Sequence, residues 1–95
     1  MVPDVFDALA TPARRAILDV LVARNDQTLF ELCGRLAADH DIELTRQAIS
    51  QHLTVLEDVG LVRSRREGRY KFHSIDTAPL RAAMSRWLDH EEAPE

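Results

Sequence analysis

The sequence predicts a mainly α-helical domain carrying one small β-hairpin, in the order α-α-α-α-β-β-α. Two adjoining stretches and a set of helix-start signals lead to that class. The first stretch, residues 45–60, opens on Thr45, suited to an N-cap, and closes on Gly60, suited to the left-handed position after a helix. Between them Ala48, Ile49, His52, Leu53, Val55, Leu56 and Val59 fall on one side of a helix, and Arg46, Gln47, Ser50, Gln51 and Thr54 on the other. The second stretch starts directly after Gly60, where the pattern becomes alternating: residues 61–66 and 69–75 flank Glu67-Gly68, read as a short turn whose glycine takes a positive φ. The helix-start signals are Thr11-Pro12, an N-cap with proline at the first helical position, and Thr28 with Glu31, a capping box. A helix ended by glycine and followed at once by a basic hairpin is the sequence form of a winged helix-turn-helix.

Taken in order, residues 3–10 read as a short helix with Val5, Phe6 and Leu9 apolar. The second helix runs from Pro12 to about Arg24 and buries Ala13, Ile17, Leu18, Leu21 and Val20. Asn25-Asp26-Gln27 is a turn. The third helix presents Leu29, Leu32, Cys33, Leu36 and Ala37, and residues 39–44 form a polar connection to the helix over 45–59. That connection exceeds the usual 3–4-residue turn of a helix-turn-helix, but doubling a loop costs only about 0.6 kcal/mol of closure entropy. In the hairpin, residues 61–75, Val62, Tyr70 and Phe72 are expected on one face and Arg63, Arg65, Lys71 and His73 on the other. Asp76 or Thr77 caps a last helix over residues 76–91, with Pro79 tolerated in its first turn. Residues 1–95 are thus expected to form a single domain, with residues 91–95 a frayed acidic tail.

A solvated helix face normally carries Lys and Glu in mixed sign. The polar face of residues 45–59 instead offers Thr45, Arg46, Gln47, Ser50, Gln51 and Thr54, side chains able to hydrogen-bond base edges in a major groove. Arg63, Arg65, Arg66, Arg69 and Lys71 make the hairpin suited to a phosphate backbone. The net charge of −4 hides this. From Arg46 to His73 six bases face three acids, a local +3, so the rest of the chain carries −7; local potential matters more than the overall balance.

Composition excludes several classes. With 45% apolar residues the chain is neither disordered nor rich in membrane-spanning runs. Met1-Val2-Pro3-Asp4 lacks the basic and apolar segments of a signal peptide, so a cytoplasmic protein is expected. A single cysteine excludes an internal disulfide and a cysteine-rich zinc module. No Gly-rich phosphate loop or Ser/His/Asp set points to an enzyme, and no cofactor is expected; His52 reads as a packed residue or phosphate contact. Leu80, Met84, Trp87 and Leu88, with Ala83 at the edge, form one stripe on the last helix. In so small a domain this stripe is read as a homodimer seam, with Val5 and Phe6 as partners. A winged helix used only to bind other proteins is the alternative reading.

From Phe6 to about Leu88 the chain resembles the ArsR-type bacterial transcriptional repressors. The resemblance is carried by residues 6–18 (FDALATPARRAIL), residues 46–53 (RQAISQHL), Leu56 with Gly60-Leu61-Val62, and the wing Arg66-Glu67-Gly68-Arg69. It implies a homodimer joined by first and last helices, bound to a double-stranded inverted-repeat operator and blocking transcription. By position, Gln47, Ser50 and Gln51 match the family's base-reading surface. Metal-sensing members place a Cys-x-Cys pair in the helix before the recognition helix; here Arg35 stands two residues after Cys33, where the second thiol would be. The start of the last helix, residues 76–80, also lacks the histidine of the family's other metal site. Asp89, His90, Glu91 and Glu92 are read as a solvated helix end, so no metal site is expected. Any effector is left open.

Overall fold

The computed structural model describes residues 4–91. The expected helix start at Pro3 and the acidic tail beyond residue 91 lie outside the described residues. The elements are α1 (Val5–Ala8), α2 (Pro12–Ala23), α3 (Leu29–His40), α4 (Arg46–Asp58), β1 (Val62–Glu67), β2 (Tyr70–Ile75) and α5 (Ala78–Glu91). This is the mainly helical winged helix-turn-helix architecture with a two-stranded antiparallel hairpin.

Local signals fix the helix ends. Thr11 accepts a hydrogen bond from the Arg14 amide, with Pro12 following it in the first turn. Thr28 and Glu31 form a reciprocal capping box, at 3.2 Å to the Glu31 amide and 2.9 Å back to the Thr28 amide. Thr45 caps α4 by accepting from the Ala48 amide at 3.0 Å. Each cap satisfies a backbone donor that the first helical turn leaves without a partner.

The core is built by α2, α3 and α4 around Ile17, Leu21, Leu32, Leu36, Ile49 and Leu56, all fully or almost fully buried. On α2, Ala16 and Val20 are buried, whereas Ala13 and Leu18 are only half-buried. Ala37 of α3 is exposed, contrary to expectation. A methyl group is small enough to leave at the edge of a stripe already anchored by Leu32 and Leu36.

The junction of α4 and the hairpin is a Schellman closure. The Gly60 amide donates to the Glu57 carbonyl at 3.0 Å and the Leu61 amide to the Leu56 carbonyl at 2.9 Å, with Gly60 at φ 81°. Leu61 and Val62 then enter the core directly. The wing therefore leaves α4 with no flexible linker.

The hairpin register differs from expectation. Glu67 pairs with Tyr70, so the turn residues are Gly68-Arg69, one position later than Glu67-Gly68. Gly68 takes φ 64° and Arg69 no positive φ, the pattern of a type II′ turn. Opposed residues share a face. Val62, Ser64, Arg66, Lys71, His73 and Ile75 therefore lie on one side, and Arg63, Arg65, Glu67, Tyr70, Phe72 and Ser74 on the other. The hairpin thus has no single cationic face: its bases divide between both. His73 turns inward beside Val62 and is buried.

A Cβ added at Gly60 would lie 3.2 Å from the Pro79 ring, whereas one at Gly68 would meet nothing within 4 Å. Both positions carry the left-handed strain of about 1–2 kcal/mol for an L-residue. Gly60→Ala is therefore expected to destabilise the protein more than Gly68→Ala in urea unfolding; equal losses would mean that the Pro79 contact yields freely.

Candidate nucleic-acid interface

Burial of Ile49, Leu53 and Leu56 rotates α4 so that its opposite face looks outward. Arg46, Gln47, Ser50, Gln51 and Thr54 are all exposed, as is the capping residue Thr45. The Thr54 hydroxyl donates to the Ser50 carbonyl at 3.1 Å, leaving its lone pairs as acceptors. Across 13 residues α4 is about 20 Å long, with its polar donors and acceptors gathered toward the N-terminal end.

The wing bases are exposed without exception, but their surroundings differ. Arg63 pairs with Asp76 at 3.5 Å; Arg65 pairs with Glu67 at 3.4 Å and Asp26 at 3.6 Å, and lies 4.9 Å over the Phe72 ring. Exposed pairs of this kind are weak, of order 0–1 kcal/mol, yet they hold these two guanidinium groups against the protein. Arg46, Arg66, Arg69 and Lys71 take part in no ion pair among the described residues.

Between α4 and the wing runs a groove of about 300 Å³, lined by Phe30, Ser50, Thr54, Glu57, Tyr70 and Lys71. Phe30 and Tyr70 flank it and are 73% and 62% exposed, unusual for aromatic residues with no cover. Neither was singled out from sequence as part of this surface. Phe30 sits outside the apolar stripe of α3, and Arg46 lies 5.9 Å from its ring centroid. An aromatic off the buried stripe beside a capping threonine was the signal available.

His52 is half-buried and accepts at Nδ1 from Arg14 Nη1, 3.2 Å away. The same guanidinium donates to the carbonyls of Ala8 at 2.7 Å and Asp7 at 3.2 Å, at the C-terminus of α1. His52 is therefore a packed residue that joins α4 to α1. Burial and then the Arg14 charge lower its pKa.

Of the seam residues, Val5 and Leu80 are half-buried against the core, and Ala83 and Met84 are half-buried. The Phe6 and Trp87 rings pack together within the chain at 5.9 Å and a tilt of 52°. Phe6, Trp87 and Leu88 nonetheless stay 40%, 48% and 49% exposed. Cys33 packs half-buried against the core, and burial raises its pKa more than Arg46 lowers it. Glu92 and the side chains of His90 and Glu91 lie outside the described residues, so the Asp89–Glu92 cluster has no geometry to report. Among the described residues no three His, Cys, Asp or Glu side chains converge as a metal site, and no helix is long and apolar enough to cross a membrane.

A family model described as "Helix-turn-helix domain" matches residues 9–65. The HTH-type transcriptional regulator YuzN of Bacillus subtilis (strain 168) is 46% identical over 85 residues, spanning 90% of this chain and 92% of that protein. An ArsR-like transcriptional regulator from Rhodococcus sp. RHA1 superposes with a TM-score of 0.69 at 33% identity, covering 93% of this chain and 78% of that one. The homodimeric winged helix-turn-helix DNA-binding domain Mb0332 of Mycobacterium bovis gives a TM-score of 0.66 at 28% identity over 93% of this chain and 78% of that one.

The lowered His52 pKa fixes a pH dependence. The native state favours the neutral ring, so this contribution to stability is complete above the ordinary value of 6.5 and is lost as pH falls through the lowered native value. His52→Asn keeps an acceptor for Arg14 without the titration. Its unfolding free energy is expected to fall less steeply than wild type below pH 6.5; parallel curves would remove His52 from this linkage.

Proposed function

Because this chain belongs to the ArsR family of winged helix-turn-helix transcriptional regulators, we propose that it is a homodimeric repressor acting on an inverted-repeat operator in double-stranded DNA. The observation that carries the reading is the outward face of α4, where Arg46, Gln47, Ser50, Gln51 and Thr54 are exposed together while Ile49, Leu53 and Leu56 anchor the other side. Placed in a major groove, Gln47 and Gln51 present amides able to bond an adenine edge bidentately, and Arg46 a guanidinium suited to guanine or phosphate. Thr45, Ser50 and Thr54 supply shorter hydroxyl contacts. The unpaired bases Arg66, Arg69 and Lys71 meet the phosphate backbone beside that groove, with Arg63 and Arg65 secondary because carboxylates already hold them.

Two copies joined through Phe6, Trp87 and Leu88, with Val5, Leu80, Ala83 and Met84 beneath, would cover the apolar surface that α1 and α5 leave open. Such a dimer presents two α4 helices to half-sites about one helical turn apart, and occupancy of the operator then blocks transcription. The site lies in the cytoplasm with the DNA, and no catalytic step is assigned to the chain. The effector is not a metal held by Cys33, which has one thiol and an apolar setting.

Gel shift and salt titration test the groove assignment. Gln51→Ala is expected to cost about 1–3 kcal/mol on the operator while leaving non-specific affinity nearly unchanged. Arg69→Ala is expected to weaken both and to make the salt slope shallower by about one unit. Identical behaviour of the two variants across sequences would show the contacts to be misplaced.

Sedimentation tests the seam. The wild type is expected to be dimeric at micromolar concentration, and Trp87→Ala to shift it toward monomer and lower operator affinity with it. A monomeric wild type under those conditions would remove the dimer from the reading.

A further inference from the structure

The turn between α2 and α3 is bonded to the wing rung by rung. Three consecutive residues face three consecutive residues in antiparallel order. Asn25 Oδ1 accepts from the Ile75 amide at 2.9 Å, and the Asp26 carboxylate accepts from the Ser74 hydroxyl. Gln27 and His73 exchange both backbone hydrogen bonds, at 3.0 and 2.8 Å. The C-terminal half of β2, residues 73–75, is therefore flanked on both sides, by β1 and by this turn, whereas residues 70–72 remain an edge.

Side chains tie the strip to the end of α2 and bring it against α4. Gln27 is 2% exposed, and its amide donates to the carbonyls of Val20 and Arg24 at the end of α2. His73 is 4% exposed; its Nδ1 lies 3.0 Å from the Gln27 carbonyl and must carry the proton there, since a carbonyl only accepts. Its Nε2 edge packs against Glu57 on the last turn of α4 at 3.9 Å, a contact beyond hydrogen-bond distance. Burying two polar side chains is costly unless each finds partners, and the partners found here are the pieces whose relative angle matters. An apolar pair would fill the same volume without fixing that angle.

The rungs end at His73, and the tip residue Arg69 lies four residues further out, about 13 Å along the strand at roughly 3.3 Å per residue. A rotation of about 10° at the root moves the tip by about 2 Å, enough to break a hydrogen bond to phosphate. We propose that His73 and Gln27 are positioning residues that aim the wing: they set the angle between its tip and α4, so that Arg69 reaches the phosphate backbone when α4 is seated. This rests on the DNA-binding reading given above. Neither residue touches DNA in it; both act through Arg69.

A double-mutant cycle on operator DNA, with salt titration at each corner, tests this. His73→Ala is expected to weaken binding about tenfold and to lower the salt slope toward that of Arg69→Ala. Adding Arg69→Ala to it should then cost less than a further twofold. His73→Asn places an amide donor where Nδ1 stands and is expected to recover most of the slope, which a general loss of stability would not explain. Should His73→Ala not fold, Asn25→Ala removes one exposed rung and is expected to show the same sub-additivity with Arg69→Ala at smaller size. Additive losses, or reduced affinity at an unchanged salt slope, would overturn the proposal. An Arg69→Ala variant that binds like wild type would instead overturn the wing assignment on which it rests.

Discussion

Everything on the outward polar face of α4 depends on one stripe of burial. Ile49, Leu53 and Leu56 are at most 3% exposed, and each contributes on the order of 1.5–3 kcal/mol by leaving water. A rotation of α4 about its axis would trade these groups for Ser50, Gln51 and Thr54, burying polar atoms that have no partners inside. The polar face of α4 is therefore held outward by the core rather than by anything it touches. The same stripe ends at Leu56, whose carbonyl receives the Leu61 amide, so the seating of α4 also sets where the hairpin begins.

This dependence explains what was legible in the sequence. Thr11-Pro12, Thr28 with Glu31, Thr45 and Gly60 act within a few residues of themselves, and each bounds the helix it was expected to bound. The stripe of α4 is likewise a local periodicity. The hairpin faces were not legible, because register depends on which two residues occupy the turn. Moving the turn from Glu67-Gly68 to Gly68-Arg69 is a shift of one residue, and the inward side is decided by what the core accepts. The alternation puts His73 on the face of the bases, yet it pairs with Gln27 across 46 residues of sequence. No periodicity within either segment records such a contact. The candidate site shows the same division: exposure of the α4 residues followed from the stripe, while the flanking aromatics Phe30 and Tyr70 become neighbours only when α3, α4 and the wing are brought together.

Charge behaves in a similar way. Five bases in the hairpin suggest a uniform cationic strip, but Asp26, Glu67 and Asp76 hold two of them. The carboxylate of Asp26 comes from the turn before α3 and that of Asp76 from the residue just past β2, so the neutralisation is as much a product of tertiary placement as of composition. Among the described residues, the bases in no ion pair are concentrated at the tip and on the inner side, at Arg66, Arg69 and Lys71. A phosphate strand passing between α4 and the wing would meet those groups first.

The last link joins α4 to the terminal helices. Arg14 donates to two carbonyls at the end of α1 and to His52 on the buried edge of α4, so one guanidinium satisfies the C-terminus of the first helix and touches the fourth. Its neighbour Arg15 bonds the Leu9 carbonyl, a second tie between α1 and α2. Phe6, on α1, packs against Trp87 of α5. A continuous chain of contacts thus runs from the apolar surface of α1 and α5 through Arg14 to α4. In a two-fold dimer built on that surface, the separation of the two α4 helices is set by these short contacts rather than by a linker. In such a dimer half-site spacing would be a property of the fold, and a change at the seam would reach bound DNA as a change in distance between two otherwise intact α4 helices.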